Sequence, residues 1–284
     1  MLEALAPAKL TLSLRVLGSR ADGMHELDAL VVTVDEPHDL LTMTPGGTGV
    51  RVRVGGRASA GVPASDANLA AKAAHALARF DPAAADVEIA VRKDIPTGAG
   101  LGGGSSDAAA VLRTMGAACG VAYEDVVAVG AELGSDVPVC IRGGSAWMRG
   151  RGELVEPVSL PTLRVLVVVP PFAVSTPAAY RSWDDLGGPR DVRPIASPRE
   201  LAPLIPTLVN DLEPAAEHLE TRLPAFRHAL EDAAGAPALL AGSGSAYAVL
   251  CDDEQSWRTT AARVQERLGL PVHAALTLAP HPRW

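Results

Sequence analysis

A chain of 284 residues, 48% hydrophobic but only 4% aromatic, is long enough for one large domain or two modest ones, with cores built mainly from Ala, Val and Leu. Its formal charge of −8, without any run of Lys or Arg, excludes broad affinity for nucleic acid or anionic membrane. Cys119, Cys140 and Cys251 are isolated, odd in number and form no CxxC pair, so they read as small buried hydrophobes in a reducing cytoplasm.

The opening Met1-Leu2-Glu3-Ala4 lacks the basic region and apolar run of a signal peptide. The longest apolar stretch, 163-LRVLVVVPPF-172, is too short to span a bilayer and is broken by two prolines, so a soluble cytoplasmic protein is expected. Strands are predicted at 8–16, 27–34, 40–44 and 50–54, where residues alternate or run apolar between Gly, Pro and Asp punctuation. Leu69, Ala73, Ala74 and Leu77 recur at helical spacing within 67–80, and 87–91 reads as a strand. Helices follow at 105–118 and 123–133, then a turn at 134–138 and short strands at 139–141 and 145–147.

The pattern restarts beyond about residue 158. A strand at 163–169, a proline-rich connector through 189–198, helices near 213–219 and 222–234, a hairpin at 237–251, a helix at 254–268 and a strand at 271–276 make a second α+β unit. The segment 184–198 reads as a surface loop, and the expected division is 1–157 and 158–284.

Between the strand at 87–91 and the helix at 105–118 lies 96-PTGAGLGGGSSDAAAVL-112, with Gly98, Gly100, Gly102, Gly103 and Gly104 in seven residues. Glycine costs entropy but permits positive φ and close backbone approach, so this density points to a loop wrapping a ligand. A strand–loop–helix connection aims several N–H groups and the positive end of a helix dipole at one point, which suits a phosphate chain. A P-loop fails, because Gly104 stands where its lysine should follow Gly98 and Gly103. Gly98, Gly100 and Gly103 match GxGxxG literally, but the loop is not at a first strand–helix turn, and Glu124 and Asp125 open a helix instead of ending a strand. The seven histidines show no metal-ligand spacing, so no permanent metal site is expected, and no GxSxG elbow supports a serine hydrolase.

The stretch 96-PTGAGLGGGSSDAA-109 resembles the central ATP-binding motif of the GHMP kinase superfamily, in the form found in 4-diphosphocytidyl-2-C-methyl-D-erythritol kinases of the non-mevalonate isoprenoid pathway. Three further stretches agree: 7-PAKLTLSLRVLGSRADGMHEL-27 is similar to the PAKINL…GYHEL opening of those kinases, 134-GSDVP-138 to their GADVP element, and 240-LAGSGSAYAVL-250 to their glycine-rich C-terminal motif. The resemblance covers nearly the whole chain. It implies a two-domain α+β fold with the active site in the interdomain cleft, ATP and Mg²⁺ as cofactors, a small cytidine diphosphate substrate, and a monomer or homodimer.

By the same resemblance, Asp136 is the catalytic base and Lys9 its partner. Pro96, Thr97, Gly98, Ala99, Gly100, Leu101, Gly102, Gly103, Gly104, Ser105 and Ser106 cradle the triphosphate, and Asn68 and Lys93 lie near the adenine. Thr11, Met24, His25, Thr176 and Tyr180 face the substrate, His25 and Tyr180 holding its cytosine, and Gly242, Ser243 and Gly244 face its phosphates. Taken singly these residues have plainer readings: Lys9 as a solvated strand residue, Asp136 as a turn former, His25 as a loop histidine, Tyr180 as a half-buried helix residue. Two positions depart from the family pattern. Thr11 stands where Asn is usual and reaches less far, and Met24 replaces a tyrosine that would border the cytosine. The alternatives are a GHMP kinase for another small alcohol such as homoserine or mevalonate, a dinucleotide-dependent oxidoreductase, and a non-catalytic homologue.

Overall fold

The computed structural model describes residues 1–188 and 208–284. Alternating apolar residues over the first 45 positions fold into a long antiparallel hairpin of β1, Leu2–Ser19, and β2, His25–Pro45, paired from Leu2↔Met43 to Ser19↔His25. The stretches expected as separate strands at 27–34 and 40–44 are two halves of β2. Leu27 to Val32 pair with β5, Ser145–Gly150, while Leu40 to Pro45 pair with β4, Val87–Arg92. Residues 34–37 have no ladder partner in β1, β4 or β5, so Pro37 costs no ladder hydrogen bond and does not end the strand.

The short strand β3, Arg51–Gly55, runs parallel to β4 and reaches it through helix α1, Leu69–Leu77. With β6, Leu154–Pro157, at the far edge, the order is β3-β4-β2-β5-β6, and β1 pairs with β2 off this path. On one face pack α1, α2 (Gly103–Ala118), α3 (Tyr123–Leu133) and α4 (Val137–Arg142), whose Leu77, Leu112, Val129 and Ile141 join Val31, Leu41 and Ile89 in one core. The tripeptide 139–141, predicted as a strand, lies in α4. Its apolar run is too short to carry a period, and Pro138 in the first turn supplies the φ that a helix start needs.

The second half comprises β7 (Arg164–Val168), α5 (Thr176–Asp185), α6 (Glu213–Leu219), α7 (Leu223–Ala234), β8 (Leu239–Leu240), β9 (Tyr247–Cys251), α8 (Glu254–Leu268) and β10 (Val272–Leu276). Its sheet is antiparallel, ordered β10-β7-β9-β8, and the predicted hairpin at 237–251 is β8 and β9. Asp184 and Asp185, read from sequence as the start of a loop, complete α5, whereas the proline-rich connector predicted at 189–198 lies outside the described residues. Among the described residues no helix is long and apolar enough to cross a membrane.

Period two decides what each β1 residue meets. Ala8, Leu10 and Leu12 enter a core shared with Val165, Val167 and Ala248 of the second sheet, which joins the halves. Ala99 and Leu101 of the glycine loop belong to that same core, so the loop is anchored at the seam. Lys9 and Thr11 point the other way, into a cavity.

Candidate active site

That cavity encloses about 710 Å³ between the glycine loop, β1, the start of α4, α5 and the loop after β8. Residues 96–105, Lys9, Thr11, Met24, His25, Lys93, Asp136, Thr176, Tyr180, Gly242 and Ser243 all line it. Asn68, Ser106 and Gly244 do not. Asn68 Oδ1 accepts the Ala70 N–H at 2.9 Å and its Nδ2 donates to the Pro63 carbonyl at 2.8 Å, so it caps α1, and it is α1 residue Leu69 that reaches the wall. The Ser106 hydroxyl donates to the Pro7 carbonyl at 2.7 Å, pinning α2 to β1, and leaves Ser105 as the first-turn hydroxyl on the cavity.

Close backbone approach explains the glycines. Gly98, Gly100 and Gly102 all have positive φ, 70°, 78° and 68°. A side chain on Gly100 would collide with the Ala241 carbonyl, and one on Gly102 would lie 2.7 Å from Cγ of Lys9. The glycine loop is therefore pressed between Lys9 and the 241–244 loop, held by Lys9 N–H to Leu101 carbonyl and Ala246 N–H to Ala99 carbonyl, each 3.0 Å. Gly102 at the head of the sixteen-residue α2 offers no side-chain cap, so the first N–H groups of that helix face the cavity without a competing side-chain acceptor. We expect Gly100→Ala to lower the melting temperature and weaken ATP binding by about tenfold or more, since it adds an αL penalty of about 1–2 kcal/mol to the backbone clash. Gly61→Ala carries the same positive-φ penalty in open space and should leave ATP binding unchanged in the same titration.

Beside the loop, Lys9 Nζ lies 3.2 Å from Asp136 Oδ2 and 3.3 Å from the Thr11 hydroxyl, which accepts from it. The ammonium is almost fully buried, while 29% of the Asp136 side chain is exposed toward the cavity. Asp136 occupies the position before α4 but makes no capping bond, so its carboxylate is held by Lys9 and faces the cavity. A carboxylate and an ammonium converging at the end of a phosphate-type loop can take a hydroxyl proton and compensate charge on a transferring phosphoryl group.

On the same cavity, the His25 ring stacks on Tyr180 with centroids 4.7 Å apart and meets Trp183 edge-on at 5.5 Å. Its Nε2 lies 3.0 Å from Asp184 Oδ1, which also accepts the Ser19 hydroxyl at 3.2 Å. Burial, and to a lesser degree the charge of Asp136, pushes the Tyr180 phenol above its ordinary range, so it remains a neutral donor. Thr176 and Ser243 share a hydroxyl–hydroxyl bond of 2.7 Å, and Asn210 Nδ2 donates to the Leu240 and Gly242 carbonyls at 2.8 and 2.7 Å, fixing the loop after β8. Met24 is 42% exposed at the rim.

Lys93 lines the cavity and is also held from behind. Its ammonium is enclosed by the carboxylates of Asp39 and, at 2.6 Å, Asp107, and the other Asp39 oxygen accepts the N–H groups of Asp94 and Ile95 at 2.6 and 2.9 Å. Nothing local in the sequence marks Asp39, Asp184, Arg151 or Arg181. A lone acid or arginine carries no local signature, and only the fold brings Asp184, Arg151 and Arg181 to the cavity and Asp39 to Lys93 behind it.

The fold, the glycine loop running into α2 and the Lys9–Asp136 pair on one cavity define a GHMP kinase. Residues 68–144 match the GHMP kinases N terminal domain family. The chain is 41% identical over 248 residues, 84% of its length and 82% of the relative's, to the 4-diphosphocytidyl-2-C-methyl-D-erythritol kinase of Dinoroseobacter shibae, and 36% identical over 284 residues, 98% and 99%, to that of Geobacter sp. strain M21. A crystal structure of 4-(cytidine 5'-diphospho)-2C-methyl-D-erythritol kinase superposes with a TM-score of 0.79 at 31% identity, covering 98% of this chain and 100% of that one. The homoserine kinase of Cytophaga hutchinsonii, at 18% identity and a TM-score of 0.71 over 98% and 94%, shares the fold. The chain belongs to the 4-diphosphocytidyl-2-C-methyl-D-erythritol kinase family.

Proposed function

We propose that this chain transfers the γ-phosphoryl group of ATP to the 2-hydroxyl of 4-diphosphocytidyl-2-C-methyl-D-erythritol, a step of the non-mevalonate isoprenoid pathway. The observation that carries the reading is the Lys9–Asp136 pair, 3.2 Å apart, on the same cavity wall as residues 96–105. Phosphoryl transfer asks mainly for alignment and charge compensation, because its transition state is loose and spreads charge over the equatorial oxygens. The uncapped start of α2 and the glycine-loop N–H groups hold the triphosphate. Lys9 orients Asp136 and offers positive charge to the transferring group. Asp136 accepts the hydroxyl proton as the new O–P bond forms and the bond to the ADP oxygen breaks.

His25 and Tyr180 hold the cytosine, Met24 bordering it in place of an aromatic ring. Ser105 is the hydroxyl placed to help hold Mg²⁺ together with phosphate oxygens, a donor set that fits an ion keeping most of its ligands from phosphate and water. Once bound, that ion neutralises phosphate charge. The ATP-binding half is assigned to residues 1–157 and the remainder to 158–284, with the cavity at their junction, and the three free cysteines suit the cytoplasm.

A coupled assay of ADP release tests the reading. Turnover with the diphosphocytidyl alcohol, and at least about 100-fold lower kcat/KM with homoserine and mevalonate, is the expected outcome. Preference for either of the latter would assign the chain to another alcohol.

A further inference from the structure

The proposed substrate has three parts, an erythritol, a diphosphate and a cytidine. Asp136 takes the erythritol hydroxyl and the His25–Tyr180 stack takes the base. The diphosphate between them needs cations, and the two cavity lysines are engaged: Lys9 with Asp136, Lys93 with Asp39 and Asp107. The remaining strongly basic side chains among the described lining residues are Arg151 and Arg181.

Arg151 stands in the turn between β5 and β6, and the geometry of that turn fixes its place along the cavity. A Cβ built on the adjoining Gly152 would lie 2.6 Å from the Ser135 carbonyl oxygen and 2.8 Å from the Ser135 Cβ, so the turn rests directly on the residue before Asp136. Arg151 shares its cavity wall with Gly23, Met24 and His25, and the Asp22 carboxylate accepts the Met24 N–H at 3.0 Å and so shapes the turn leading into His25. Arg151 therefore lines the same cavity as Asp136 and the His25–Tyr180 stack, from a turn that packs against the residue before Asp136. Its own tie is loose: Nε is 4.0 Å from Glu153 Oε2, and 43% of the side chain is exposed. That carboxylate oxygen is already engaged by the Arg151 backbone N–H at 2.7 Å.

Resting on the proposed function, we infer that Arg151 is a specificity-determining residue that binds the diphosphate bridge of the cytidine substrate. A guanidinium presents a planar fork of donors that matches two phosphoryl oxygens, and moving from loose contact with Glu153 onto the diphosphate exchanges a screened surface pair for charge-assisted bonds inside the cavity. This also gives the chain a hold on the nucleotide that does not depend on an aromatic residue at position 24.

The test separates diphosphate from base. With Arg151→Met, which keeps the aliphatic stem, KM for the diphosphocytidyl alcohol should rise about tenfold or more, while kcat stays within about threefold and KM for ATP is unchanged. Inhibition by cytidine 5'-diphosphate should weaken by a similar factor, and inhibition by cytidine, which has no phosphate, should not change. Arg151→Lys should recover part of the loss, since it restores the charge without the fork. Undiminished inhibition by the diphosphate, or equal loss for diphosphate and cytidine, would overturn the assignment. A wild-type chain that binds the diphosphate but does not turn over the substrate would instead overturn the proposed function and leave the Arg151 contact standing.

Discussion

Replacing Asp136 with Asn lowers kcat by about 10²–10⁴ while leaving the affinity for ATP close to that of the unaltered chain. The amide keeps the shape of the carboxylate but cannot take the substrate proton, and it gives Lys9 a neutral partner in place of the one now at 3.2 Å. In the proposed reading ATP is held by other groups, the 96–105 loop and the start of α2, neither of which uses Asp136. Steady-state kinetics with calorimetric titration of ATP separates the two quantities. Turnover within a few-fold of wild type would remove Asp136 from the role of base, and a parallel loss of ATP affinity would place it in nucleotide binding. Lys9→Ala should be milder in proton transfer but worse in folding, because its stem packs against Gly102 and fills the space behind the loop.

Much of this site was legible in the chain because its parts are local. Five glycines in seven residues state a backbone requirement, and positive φ at Gly98, Gly100 and Gly102 is what three of them supply, while Gly103 and Gly104 open α2. Period two in the strand predicted at 8–16 is the local pattern that puts Lys9 and Thr11 on the face opposite Leu10 and Leu12. What the sequence could not show are features created by pairing at a distance. Whether 27–34 and 40–44 were one strand or two depended on which neighbours β2 would find on either side of Pro37. The tripeptide 139–141 reads alike as strand or helix until Pro138 and the packing of Ile141 and Val137 against Gly130 decide it. The buried acids are the clearest case. Asp39 is separated by 54 residues from Lys93 and by more from Asp107, so neither spacing nor composition links them, although together they fix both ends of the glycine loop.

That buried cluster is where the second large effect is expected. Lys93 is 2% exposed, Asp39 0% and Asp107 2%, and the ammonium is, among the described residues, the single cation between the two carboxylates. Lys93→Met leaves both acids buried without a counter-charge, which costs about 3–5 kcal/mol of folding stability, and thermal or urea unfolding should show it directly. The loss should also reach function, since Asp39 holds the N–H groups of Asp94 and Ile95 where the loop begins and Lys93 holds Asp107 where the loop has become helix. If the cluster acts as a unit, Asp107→Asn should recover part of the Lys93→Met penalty by removing one uncompensated acid, and strict additivity of the two changes would show that it does not. The same cluster sets a pH dependence of definite sign. Burial, reinforced by Asp39 and opposed by Lys93, pushes the Asp107 carboxyl up to about 7, and one of its oxygens has no partner. In the unfolded chain that carboxyl loses its proton near its ordinary value of about 4. Between those limits the folded state binds more protons, so the stability contributed by this group is fully present below about pH 4 and is lost as the pH rises through about 7. Asp107→Asn should therefore flatten the stability curve over that window, making the variant gain on wild type as the pH rises. Parallel curves for the two proteins would show that Asp107 is ionised throughout and that Lys93 compensates both carboxylates at once.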